Sequence, residues 1–509
     1  MTIHKLGNSV HPRSGVLTIV AALACALMVA WPEGSAATFT LVRGPYLQQV
    51  GSDQAIVVWA TREAGTASVQ SRLGSGPVTT TPAVSTFRSS STTGITSYYQ
   101  HEATLTGLAA NSTYEYDLRV SGEDVTPGVV DHLRTAPAAG TGTIRFVALG
   151  DSGNGSSAQV QIAGRLDNET FDLAVHNGDV AYSNGTFAQF DAFFFRYYAG
   201  WLRERPIFPS IGNHDDRTSS AGPYRTFFAL PRDGASAAYP NNAERFYSFD
   251  YGPVHFIALD SEAAFLSTAR RQEQVAWLAA DLEASQNAPW RVAFFHRPPY
   301  SSGLEHGSDL AIRQAFSTLF ERYNVQLVLN GHEHSYERSV PWRDSTDATR
   351  QAVTYVITGA AGAGLYPVGR SAWTAFSRSV HHYVRGTMSS SDLSLEAVDG
   401  SGAVIDRFSL NRAEQESDSA APGVAFVSPS SGAILNGPTT VEVDASDDRR
   451  VEKVDLWIDG KLRGIDLTAP YEFAINAGTW TSGTHTLEAR VYDIAGKRAS
   501  ARRTISVVN

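Results

Sequence analysis

Cysteine is almost absent from this sequence: its 509 residues include one, Cys25. No intramolecular disulfide can form, so stability has to come from packed cores. Positive charge is scarce too, with 41 Lys and Arg against 51 Asp and Glu, a formal net charge of −10. That balance provides no field to hold a nucleic-acid backbone non-specifically, so nucleic acid is not a required partner. Long apolar runs are missing with one exception, Gly15 to Ala30, which is shorter than the roughly 20 residues a membrane span needs. It follows a weakly basic start containing Lys5 and Arg13, stops at Trp31-Pro32-Glu33 and is succeeded by the small residues Gly34, Ser35, Ala36 and Ala37. This is the order of a secretory signal. Residues 1–37 are expected to be a signal peptide cut after Ala36 or Ala37, giving a secreted or periplasmic protein without cysteine and without a stable membrane anchor. Acylation at Cys25 is disfavoured, because Ala22 is a poor residue three positions upstream and apolar sequence continues beyond.

What is plentiful is apolar bulk. Apolar residues make up 42% and charged ones 18%, which rules out a mainly disordered chain. At roughly 150 residues per domain the length suggests about three domains. Residues 38–137 read as an all-β sandwich: Tyr114 to Val120 alternates with period two, and Ala55 to Ala60 forms an apolar strand around Trp59. Thr135 to Gly142 reads as a linker. From residue 143 to 412 short apolar strands alternate with helical stretches, which is α/β organisation. Arg270 to Ala284 carries Val275, Leu278 and Leu282 at helical spacing. Residues 413–422 are polar and predict a second linker. In residues 423–509, Val454, Leu456 and Ile458 alternate with Asp455, Trp457 and Asp459, then Asp459-Gly460 offers a hairpin turn. This final segment resembles bacterial immunoglobulin-like modules, and contact with the cell surface or a polymer is its expected role.

Five short segments of the middle region place metal-competent side chains just after apolar strands: Asp151-Ser152-Gly153, Gly178-Asp179-Val180-Ala181-Tyr182, Gly212-Asn213-His214-Asp215, His296, and Gly331-His332-Glu333-His334. Ligands of open α/β sheets collect at that strand edge. Any one segment reads equally well as a turn; all five in order, each behind its own strand, do not.

With these motifs the sequence resembles the purple acid phosphatases, a branch of the calcineurin-like metallophosphoesterases. The resemblance extends over residues 38–412, including Arg43-Gly44-Pro45-Tyr46-Leu47-Gln48 and Thr135-Ala136-Pro137, which look like the opening and closing of that family's fibronectin-type-III-like N-terminal domain. It implies a catalytic domain of two β-sheets flanked by helices. By the same resemblance, Asp151, Asp179, Tyr182 and His334 would hold a first metal, and Asp179, Asn213, His296 and His332 a second, with Asp179 bridging. Three oxygens and one imidazole suit Fe(III); two imidazoles and an amide oxygen suit Zn, Mn or Fe(II). Many relatives in the wider superfamily place a histidine two residues after the first aspartate. Here that position is Gly153, and Tyr182 supplies a phenol instead, as in the purple branch.

Two cations spaced to clamp phosphate oxygens hydrolyse phosphate esters, with a metal-bound hydroxide as the expected attacking group. His214 is expected to donate to the phosphoryl oxygens, with Asp215 orienting it, and His306 resembles the leaving-group acid. The leading expectation is an exported acid phosphatase acting on small phosphate monoesters. A phosphodiesterase with the same metals is the alternative, and a non-catalytic surface-binding protein a third. His176 and His255 are expected in core or edge positions, His381-His382 in a strand, and His101, His132 and His485 within the sandwiches. Asp444, Asp447 and Asp448 read as a solvated turn. The glycine-rich run Gly359 to Gly364 lacks a following Lys-Ser or Lys-Thr and reads as a tight loop beside the active site, not a nucleotide-binding loop.

Overall fold

The computed structural model describes residues 39–233, 242–262, 268–345 and 350–508. The expected signal peptide and Cys25 lie outside the described residues. No helix among the described residues is long and apolar enough to cross a membrane.

The N-terminal part is a β-sandwich. One sheet runs Leu41–Gln48, Gln54–Thr61, Tyr98–Thr106 and Val84–Arg88; the other contains Thr79–Pro82, Ala67–Leu73, Thr113–Val120 and Glu123–Asp124, with Asp131–Arg134 also on Thr113–Val120. The alternation read in Tyr114 to Val120 has its cause here: Tyr114, Tyr116, Leu118 and Val120 are buried between the sheets. The segment Arg43–Gln48 is an interface with the central domain. The Tyr46 hydroxyl donates to Phe227 O at 2.6 Å and the Gln48 amide to Ile207 O at 2.9 Å. Arg43 pairs with Asp191 at 2.8 Å while its guanidinium lies 4.3 Å from the Phe227 ring centre. The stretch expected as a first linker is tied down at its start, since Thr135 and Ala136 are buried and bonded to Ser112 and Gly51.

The central domain packs a six-stranded sheet against a seven-stranded one. The first has the order Ile207–Pro209, Leu173–His176, Ile144–Leu149, His382–Met388, Asp392–Asp399, Val404–Asn411; the second has Tyr247–Tyr251, Val254–Ala258, Trp290–Phe295, Leu327–Asn330, Thr354–Thr358, Tyr336–Ser339, Thr374–Arg378. Strands 144–149, 173–176 and 207–209 run parallel, as do 254–258, 290–295, 327–330 and 354–358. Trp290, Val292 and Phe294 face the core between the sheets, whereas Ala293 and Phe295 pack outward with Leu278 and Leu282. Burial on both faces explains why this strand reads as a continuous apolar run. The helix is Thr268–Ala284, and Gln274 on its buried side holds Asp260 through both N–H and carbonyl.

The C-terminal part is a second β-sandwich, Gly423–Ser428, Pro438–Ser446 and Tyr471–Asn476 against a five-stranded sheet containing Val451–Ile458, Lys461–Asp466, Gly483–Asp493 and Arg498–Val507. Asp459 and Gly460 form the two-residue turn, with φ of 50° and 77° and Ile458 paired to Lys461. Part of the expected second linker is regular, since Arg412–Ser417 is a helix. The polar face of the strand around Asp455 does not face water: Lys453 and Asp455 are wholly buried and paired at 3.0 Å, and Lys453 Nζ donates to Ala372 O and Thr374 O of the central domain. Gly496 approaches Pro341 and Ala352 in the same seam.

Candidate active site

Six of the seven predicted metal donors lie just beyond the C-terminal end of a parallel strand, and Tyr182 stands three residues on from Asp179 in the same loop. Asp151 follows 144–149, Asp179 follows 173–176 and Asn213 follows 207–209 in one sheet; His296 follows 290–295 and His332 and His334 follow 327–330 in the other. The two sheets thus bring their donors to one shared edge. Asp151, Asp179 and His332 have φ of 56°, 53° and 72°, a left-handed backbone that non-glycine residues avoid. Each is held there by hydrogen bonds across loops: Asp151 N donates to Gly178 O, Ser152 N to Asp179 O, and His332 N to Asp151 Oδ2 at 3.0 Å. The loops approach so closely that a Cβ on Gly331 would stand 2.5 Å from Asp151 Oδ2.

Carboxylate oxygens of Asp151 and Asp179 and a ring nitrogen of His296 lie within 4.8 Å of one another. The Tyr182 hydroxyl is 2.9 Å from Asp151 Oδ1 and 3.2 Å from His334 Nε2. Asn213 Oδ1 is 2.9 Å from His296 Nε2, and His332 Nδ1 is 3.1 Å from the same nitrogen. Asp179 Oδ2 stands 3.4 Å from His296 Nε2, and its carboxylate also bears on Tyr182. All seven predicted donors are therefore together, with Asp151, Tyr182 and His334 on one side of Asp179 and Asn213, His296 and His332 on the other.

The donor chemistry fits two cations. His296 Nδ1 donates to Asn177 O at 2.9 Å and His334 Nδ1 to Gly364 O at 2.7 Å, so each ring turns an Nε2 lone pair inward. Burial opposes charge on His296, but the carboxylates of Asp179 and Asp151 outweigh it and hold the imidazole up to about 10. The cluster thus draws in positive charge, which bound metal would supply in place of the proton. Burial, then the charges of Asp151 and Asp179, push the Tyr182 phenol well up; a cation beside it reverses that logic and favours phenolate.

His214 and His306 flank the cluster. His214 donates from Nδ1 to Ser183 O at 2.6 Å and places Nε2 3.8 Å from Asp179 Oδ2. His306 is exposed and stacks on the His332 ring at 4.2 Å. Asp215 does not orient His214. Its buried carboxylate accepts from the backbone N–H groups of Val180, Ala181 and Gly212 at 3.0–3.2 Å and so ties the Asp179 and Asn213 loops together. Burial and the neighbouring Asp179 raise its pKa.

Sequence reasoning missed four contributors. Arg297, held by Glu262 at 3.0 Å, lies 3.1 Å from His332 Nε2. Glu333, fully buried, accepts from the backbone of His306 and Gly307. Tyr366 stacks on His334 at 4.1 Å. Arg297 and Glu333 are sequence neighbours of ligands, which was the available signal. The other predicted histidines fall elsewhere. His176 is buried on Ser152, His101 lies between Thr61 and Ser85, His255 pairs with Asp250 and Asp281, and His485 pairs with Asp459. His132 lies 3.8 Å from Glu204. His382 is buried and His381 meets Ala360 O. The Gly359–Gly364 loop does line the site, since Ala363 N donates to Asp151 O.

Comparison with known families agrees with this geometry. Residues 42–130 match the purple acid phosphatase N-terminal domain, 144–336 the calcineurin-like phosphoesterase domain and 422–489 a bacterial Ig domain. The chain thus joins a purple acid phosphatase-type N-terminal domain to a calcineurin-like phosphoesterase domain and a bacterial Ig domain. An uncharacterized protein of Mycobacterium tuberculosis is 30% identical over 318 residues, 51% of this chain and 57% of that protein. Purple acid phosphatase 15 of Arabidopsis thaliana is 27% identical over 272 residues, 47% of this chain and 49% of its own length. The chain thus spans about half the length of the curated relatives it matches. The purple acid phosphatase from yellow lupin seeds shares the fold, with a TM-score of 0.63 and 23% identity over 72% of this chain and 74% of that one.

Proposed function

We propose that this protein is an exported acid phosphatase that hydrolyses small phosphate monoesters at a binuclear metal centre. The observation that supports it most is the convergence of seven metal-competent side chains from two sheets on one edge, flanked by two histidines outside the donor set. Asp151, Asp179, Tyr182 and His334 suit Fe(III), and Asp179, Asn213, His296 and His332 suit Zn, Mn or Fe(II). When bound, the two cations polarise phosphate oxygens and activate water as the nucleophile. His214, fixed through Nδ1 on Ser183, turns Nε2 toward the centre, where it meets a phosphoryl oxygen of the substrate. His306, at the exposed mouth, protonates the departing ester oxygen. Burial lowers its pKa, so it carries that proton best under acid conditions. The signal-like order of residues 1–37 supports export.

The test compares leaving groups. A nitrophenolate departs without much help, whereas an alkoxide needs a proton, so His306→Ala should slow alkyl phosphates far more than nitrophenyl phosphate. His214→Ala should slow both by about a hundredfold or more. Equal losses in His306→Ala would remove its role as acid. Faster turnover of bis(nitrophenyl) phosphate than of the monoester would replace this reading with a diesterase, and no turnover of either by metal-loaded protein would remove the enzymatic reading.

A further inference from the structure

We propose that Asp418, Asp447 and Asp493 form a calcium site that fastens the C-terminal module to the catalytic domain. They come from three separate segments: Asp418 follows the helix Arg412–Ser417, Asp447 lies in the turn after Pro438–Ser446, and Asp493 ends the strand Gly483–Asp493. One carboxylate oxygen from each falls within 4.8 Å of the other two.

Each carboxylate has one oxygen in use. Asp493 Oδ1 accepts from Ala495 N and Lys497 N at 3.0 and 2.7 Å, and Asp447 Oδ2 from Arg449 N and Arg450 N at 2.8 and 3.1 Å. Asp418 Oδ1 takes the Lys497 ammonium at 2.6 Å. The remaining oxygens, Asp493 Oδ2, Asp447 Oδ1 and Asp418 Oδ2, are buried and have no hydrogen-bond partner among the described residues. Asp493 is 0% exposed, and so is the side chain of Asp418. A buried carboxylate oxygen without a partner is costly, and the charges of Asp418 and Asp447 bear unfavourably on Asp493 as well. Lys497 neutralises one of the three charges, and a divalent cation neutralises the two that remain.

The chemistry selects calcium. The donors are all hard oxygens, without the nitrogen or sulfur that zinc favours, and Ca²⁺ accepts six to eight oxygens in a loose geometry that carbonyls and waters complete. The turn reading holds for Asp448, which is exposed; Asp444 is exposed too but lies within the strand Pro438–Ser446, not in a turn. Asp447 departs from it because the chain beside Asp418 folds over the turn: Ser419 N and Ala420 N donate to Asp448, and Arg450 donates to Ser409 O. A cation here would cross-link the end of the catalytic domain to two loops of the module.

The catalytic centre also binds metal, so the test uses full-length Asp179→Asn protein, with zinc-preloaded wild type in parallel. Equilibrium dialysis should find one Ca²⁺ per chain, and millimolar Ca²⁺ should raise Tm by a few degrees. Adding Asp447→Asn should weaken Ca²⁺ binding about tenfold or more and abolish the Tm rise. Without Ca²⁺ that variant should be no less stable than its parent, because asparagine keeps the acceptor for Arg449 and Arg450 while removing a repelling charge. Undiminished Ca²⁺ binding in Asp447→Asn, no binding at millimolar Ca²⁺, or Mg²⁺ binding as tight as Ca²⁺ would each overturn the assignment.

Discussion

Alanine at position 212 should disable the metal centre while leaving the fold. Gly212 has an ordinary extended backbone, with φ of −103°, so alanine costs nothing conformationally; the obstacle is space. A Cβ there would stand 2.1 Å from Asp179 N and 2.2 Å from Asp179 Oδ1, about 1.3 Å short of the 3.4 Å at which ordinary contact begins. Nor can the segment back away, because Gly212 N donates to the buried Asp215 at 3.0 Å. Asp179 must therefore move by roughly 1 Å, and a misplacement of that size costs on the order of a hundredfold in turnover. Overpacking should also cost about 1–3 kcal/mol of stability. The assays are metal content per chain after dialysis, thermal unfolding, and turnover of nitrophenyl phosphate. Gly437→Ala is the control, since nothing lies within 4 Å of its Cβ. Two retained metals and turnover within about threefold of wild type in Gly212→Ala would refute the claim that Asp179 bridges both sites.

Tyr182→Phe should remove the broad visible absorption expected of a phenolate on Fe(III) while the protein stays folded; an iron-loaded parent that is colourless would count against Tyr182 as a ligand. Burial disfavours charge on His255, but Asp250 and Asp281 outweigh it and raise its pKa to about 9. Its stabilising contribution, on the order of 2–3 kcal/mol, is then complete below about pH 6.5 and lost as pH rises through 9. Thermal unfolding of wild type and His255→Gln at pH 6 and pH 10 should therefore differ mainly at the lower pH. Lys453→Met leaves Asp455 buried without its partner and should cost about 3–5 kcal/mol, most of it recovered in Lys453→Met with Asp455→Leu; calorimetry of the three proteins decides.

The convergence of the seven candidate donors was legible because each belongs to a short polar motif that follows an apolar strand, and a strand end fixes a side chain's position within a few ångströms. Strand limits are nearly legible too: the apolar runs Leu173 to Val175 and Ile207 to Ile211 mark strands that end at His176 and Pro209. What escaped depended on contacts distant in sequence. Lys453 and Asp455 alternate with Val454 and Leu456 just as a solvated face would, and only the docked central domain makes that face interior. Asp215 adjoins His214 in sequence, yet two of the three backbone groups it holds lie 34 and 35 residues away, at Ala181 and Val180. The Asp447 turn looked exposed because Asp418 and Asp493, which enclose it, are far along the chain.

The division of donors between two sheets also sets an order of assembly. His332 N reaches Asp151 across 181 residues of sequence, so neither sheet alone presents a complete set of ligands for either cation. Metal can be captured tightly only by a chain that has already paired its long-range strands and closed one sheet on the other. On the proposed assignment, tight loading therefore follows closure of one sheet on the other. A chain whose two sheets stay apart would hold at most a partial ligand set for each cation.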